Sequence, residues 1–167
     1  IAEVLLDAGA NAKAEFDDGW GNPFTVLTGV IGEGEGDRPA HPQAEALAEL
    51  LIARGADPFD TQALYNTSIT RDDTTWLERL YDHCVRQGTQ ERWLEVGQGL
   101  SGKHPQAAID YLFGNAVTFN HPQRAAWLLQ RGANVDGVNA YSGRSHLYEA
   151  RLRGFSGMAG FLVRNEA

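Results

Sequence analysis

Cysteine is nearly absent: a single thiol, Cys84, stands in 167 residues. That excludes an internal disulfide framework and fits a reducing compartment, so a cytoplasmic setting is expected. Basic residues are also scarce, with 14 Lys and Arg against 22 Asp and Glu and a formal charge of −8. Nucleic acid is therefore not an expected partner, because phosphate binding needs clustered positive charge. No apolar run approaches the roughly 20 residues of a membrane helix, so no membrane contact is expected. What is present is ordinary for a globular domain with a sizeable core: 43% hydrophobic and 22% charged residues.

The chain repeats itself. Leu5-Leu6-Asp7-Ala8-Gly9-Ala10-Asn11, Leu51-Ile52-Ala53-Arg54-Gly55-Ala56-Asp57 and Leu128-Leu129-Gln130-Arg131-Gly132-Ala133-Asn134 share one form. A fourth segment, Leu162-Val163-Arg164-Asn165-Glu166-Ala167, keeps the frame with Glu166 in place of Gly. Each reads as a helix end: paired apolar residues face a core, Gly supplies the left-handed stop, and Asn or Asp opens a turn. Between the second and third lies a helical stripe of Trp76, Leu77, Leu80, Tyr81 and Cys84, which predicts a helix over 74–87 that ends at Gly88. A companion helix is expected over 62–70, and two more over 105–119 and 122–130, each of the latter with Pro at its first turn.

These endings, with Gly143-Arg144-Ser145-His146-Leu147-Tyr148-Glu149-Ala150 before Gly154-Phe155, resemble the ankyrin repeat, whose period is roughly 33 residues. Ser145-His146 stands where the family has Thr-Pro, Tyr148 where it has His, and Asn120-His121 where it has Gly-His. Leu128 and Leu162 lie 34 apart, one repeat plus one residue; Leu5 and Leu51 lie 46 apart, and Leu51 and Leu128 lie 77 apart, two repeats plus an insertion. The resemblance covers essentially the whole chain, most strongly roughly the last 60 residues. It implies an all-α helical solenoid of about four repeats plus a leading half-repeat, with irregular insertions at 32–42 and 91–103. The units would be 1–12 (the half-repeat), 13–57, 58–90, 91–134 and 135–167. Ile1 falls inside a second helix, with Val4, Leu5 and Leu6 in core phase, so the natural protein is expected to continue upstream.

Motifs that carry chemistry give way to plainer readings. Gly97-Gln98-Gly99-Leu100-Ser101-Gly102-Lys103 nearly has P-loop spacing, with 93–96 as a candidate strand before it. His104 stands where a magnesium-binding hydroxyl belongs, so a connection between units is expected. Gly32-Glu33-Gly34-Glu35-Gly36-Asp37 lacks the distal bidentate Glu of a calcium loop and reads as a solvated insertion. His83-Cys84 has no second ligand pair for zinc, and Cys84 shares a face with Leu80 and Tyr81, so it is expected buried and inert. His41, His104 and His121 precede Pro and read as turn residues, and Asp72-Asp73 reads as the cap of the helix that follows. Asn66-Thr67-Ser68 is a formal glycosylation acceptor inside an expected helix, and is discounted.

No acid–base, nucleophile, metal or cofactor constellation emerges, so an enzyme is not expected. The resemblance implies a protein–protein interaction scaffold that binds through hairpin tips and the inner helix face; the alternative is a regulatory or targeting module of a larger enzyme or effector. Phe16, Trp20, Phe59 and Tyr141 fall in connections, where large aromatics suit a binding surface. Asp18, Asp60 and Asp136 lie beside them, so an acidic edge and a partner with a basic segment are expected.

Overall fold

A computed structural model of the chain describes residues 1–17, 19, 22–32, 41–100 and 102–165. The described residues are mostly helical, with nine helices and little strand, which is the all-α class that the helical stripes imply. In chain order they are α1 (Ala2–Asp7), the hairpin β1 (Glu15–Phe16) and β2 (Phe24–Thr25), α2 (Val26–Ile31), α3 (Ala44–Ala53), α4 (Thr61–Thr70) and α5 (Thr75–Gln87). A 3-10 turn (Gln90–Trp93) precedes α6 (Ala108–Thr118), α7 (Pro122–Leu129), α8 (His146–Leu152) and α9 (Ser156–Arg164). Helices α2 and α3, α4 and α5, α6 and α7, and α8 and α9 pack in pairs, while α2, α4, α6 and α8 touch in sequence order.

Local chemistry sets the helix ends. Gly9, Gly55, Gly88 and Gly132 have φ of +96°, +100°, +69° and +101°, a region where a Cβ is strained. Asn120 has φ +57°, the left-handed stop of α6 made by the residue type best suited to replace Gly there. At the starts, the Thr25 side chain accepts from the Thr28 amide in a capping box, and Asp60 and Ser145 accept from the Ala63 and Tyr148 amides.

The core is densest around α6, where Ala108, Ile109 and every residue from Tyr111 to Val117 is buried. Beside it Trp93, fully buried, stands edge-on to Phe59 and Tyr81 and packs on Trp127. Rings of that size carry much of the burial, and losing one typically costs about 3–5 kcal/mol.

Four local expectations need correction. Trp93 closes a 3-10 turn and not a strand, and only Val96 makes a bridge, to Ala107. That bridge holds Ala107 extended, so α6 begins at Ala108 and Pro105 is not in its first turn. Asp72 does not cap α5. Its carboxylate accepts from the Gln123 and Arg124 amides and so caps α7, while Asp73 accepts from the Thr75 amide. In α1, Val4 and Leu5 are 70% and 56% exposed, and Leu6 alone packs against the core, because no described helix lies over the other face.

Candidate functional site

The hairpin places the first of the expected residues. Glu15 pairs with Thr25 and Phe16 with Phe24; Phe16 is 68% exposed, and its chain neighbours Glu15 and Asp17 are exposed too. Asp17 turns the chain by accepting from the Gly19 amide at 2.8 Å, with Gly19 at φ +81°. Asp18 and Trp20 lie outside the described residues.

Phe59 and Asp60 are not at an exposed edge. Phe59 is 3% exposed, edge-on to Trp93 with the Arg92 guanidinium 4.5 Å from its ring centre. Asp60 is 5% exposed and joins α2 to α4: it caps α4 at the Ala63 amide and accepts the hydroxyls of Thr25 and Thr28. A buried carboxylate is tolerable because those donors replace water. The partners are supplied by distant segments, which is why a connection read by itself looked exposed.

Asp136 is exposed, and Tyr141 is 52% exposed. The Tyr141 hydroxyl shares a 2.7 Å hydrogen bond with that of Tyr111, and its ring stands edge-on to the Tyr111 ring. Burial, together with the Tyr141 hydroxyl, pushes the Tyr111 pKa up. Tyr141 is thus half packing and half surface. Among the described residues, no hydrogen bond, ion pair or ring contact joins the Phe16 group to the Tyr141 group.

The glycine-rich connection packs against its neighbours. A Cβ at Gly99 would meet Thr61 at 3.0 Å, and one at Gly102 would lie 2.5 Å from the Ala140 carbonyl oxygen. The His104 amide donates to that same carbonyl, and the Gln106 side chain donates to the Val138 carbonyl. A phosphate cradle aims its amides from a helix N-terminus that directly follows the loop; here four residues separate Lys103 from α6, and two of them, His104 and Gln106, bond to the Ala140 and Val138 carbonyls.

Cys84 is buried, with the Trp93 indole N–H 3.4 Å from its sulfur, and burial pushes the thiol pKa up. A protonated, enclosed thiol is a poor nucleophile. Among the described residues, no group of three His, Cys, Asp or Glu side chains could hold a metal ion. No helix among them is long and apolar enough to cross a membrane.

A polar ladder between α3 and α5 was not expected. Arg79 reaches Glu45 and Glu49, and His83 lies 3.0 Å from Glu49. It borders an open cleft of ≈ 660 Å³ that also takes in His41, Arg71 and Trp76. The matching i,i+4 spacings, Glu45 with Glu49 and Arg79 with His83, were the available signal.

Compared with known proteins, the chain matches no family model, no curated protein and no solved structure.

Proposed function

We propose that this chain is a non-catalytic protein-binding module built as an ankyrin-type solenoid. Support for the repeat comes from side chains about one period apart that meet again and again. Thr28 and Asp60 are 32 residues apart, Glu45 and Arg79 34, Glu49 and His83 34, and Asp57 and Arg92 35. Such offsets are what stacked units of roughly 33 residues produce, each pairing with its neighbour.

The observation that carries the binding role is Phe16, a large aromatic 68% exposed on the hairpin, with the exposed acids Glu15 and Asp17 next to it in the chain. Exposed rings of this kind bury much area at little entropy cost and recur at binding hot spots. The neighbouring acids Glu15 and Asp17 favour a partner segment with Lys or Arg. Enzymatic activity within these residues is not part of the proposal.

The test uses a panel of basic peptides with and without apolar residues, read by fluorescence anisotropy against the purified chain. Phe16→Ala should weaken capture about tenfold while changing stability by less than about 0.5 kcal/mol, as an exposed position allows. Unchanged capture, or capture lost only together with the melting transition, would remove Phe16 from the binding surface.

A further inference from the structure

The last helical pair carries charge opposite in sign to the whole chain. Residues 142–165 contain four arginines, Arg144, Arg151, Arg153 and Arg164, and one carboxylate, Glu149. Glu149 is 4% exposed; it accepts the Ser142 hydroxyl at 2.6 Å and lies 3.5 Å from the Arg153 guanidinium. That acid is fully engaged inside the unit, and in a chain of net charge −8 a cationic surface remains here.

The cations surround apolar side chains. Tyr148 and Leu152, one turn apart on α8, are 52% and 59% exposed and share a face. The Arg144 guanidinium lies 5.3 Å from the centre of the Tyr148 ring, and Arg151 is exposed on the same turn as Leu152. Among the described residues, neither Arg144 nor Arg151 is ion-paired. The other side of the helix, with His146, Glu149 and Ala150, is buried and packs toward α6 and α9.

We propose that this α8 face docks an acidic segment that carries apolar side chains at helical spacing. The apolar stripe of Tyr148 and Leu152 supplies contact area. Arg144 and Arg151 supply charge that no carboxylate among the described residues neutralises, so acidic partners are attracted and basic ones repelled. Tyr and Arg are also the side chains that most often dominate binding energy. The hairpin around Phe16 has the reverse polarity, so the two surfaces select different partners and are tested by different residues.

The probe is a fluorescein-labelled synthetic helix with Leu at i,i+4 spacing and Glu elsewhere, compared with its Lys-for-Glu counterpart on the full chain. The Glu peptide should bind saturably and the Lys peptide should not. Binding should weaken as salt is raised from about 50 to about 300 mM, because exposed charges are screened. Arg144→Glu with Arg151→Glu, and separately Leu152→Ser, should each weaken it about tenfold or more with the melting temperature unchanged. Phe16→Ala should leave it unaltered, which separates failure here from failure of the hairpin reading. Equal binding of the Lys peptide, or wild-type affinity in both variants, would overturn the assignment. So would a concentration-dependent dimer in sedimentation equilibrium that both variants abolish, which would give this face to a second copy of the chain.

Discussion

At the scale of single residues, the most telling side chain is His146. It is 1% exposed, stands edge-on to Phe113, and is crowded by Gly114 and Gly137, whose Cβ atoms would lie 3.3 and 3.1 Å from its ring. Neither ring nitrogen has a hydrogen-bond partner among the described residues. Burial pulls its pKa down to about 4, with the Glu149 charge a lesser opposing influence. The unfolded chain, with an ordinary His, takes up its proton first as pH falls. Stability due to this residue is therefore intact above about pH 6.5 and is lost between there and about pH 4, by roughly 3 kcal/mol in total. Urea unfolding at pH 4.5 and 7 should show a smaller pH difference in His146→Leu than in the parent. An equal difference would place the titrating group elsewhere. His146 occupies a Pro position of the resembled motif, and nothing in its own neighbourhood announced its burial; the two glycines that make room come from α6 and the hairpin.

At the scale of elements, helix ends were legible and helix beginnings less so. A stop such as Gly55 or Asn120 is local: an apolar pair, a residue tolerant of positive φ, then a turn former. The start of α6 is not local, because Ala107 is held extended by its bridge to Val96 and the Gln106 side chain is tied to the Val138 carbonyl. Asp72 failed as a cap of α5 for the same reason: the α7 amides, far along the chain, claim its carboxylate. The candidate site divides similarly. Phe16, Asp136 and Tyr141 are exposed as read, whereas Trp93, arriving from an irregular stretch, covers Phe59. Gly102 offers a direct check on the packed connection. A methyl there would press on the Ala140 backbone, which cannot yield as a flexible side chain would. Gly102→Ala should destabilise the fold by about 1–3 kcal/mol in chemical denaturation, and Gly97→Ser, with open space around it, should cost less despite its φ of +91°. A negligible cost at Gly102 would show that the connection is not packed on the Ala140 backbone.

At the scale of the molecule, helix pairs contact their neighbours in chain order, and four of the long-range side-chain pairs lie 32 to 35 residues apart. In the proposed solenoid, stability is a sum of unit and neighbour terms, so removing an end unit costs its own contribution and one interface. A single closed core behaves otherwise, since cutting it exposes contacts throughout. The direct measurement is urea unfolding, followed by circular dichroism, of the chain truncated after Asn134, which removes α8, α9 and the hairpin before them. A stacked solenoid retains its helical ellipticity per residue and a cooperative transition at a lower midpoint. Loss of helicity across the whole truncated chain would contradict the proposed stack and the repeat with it.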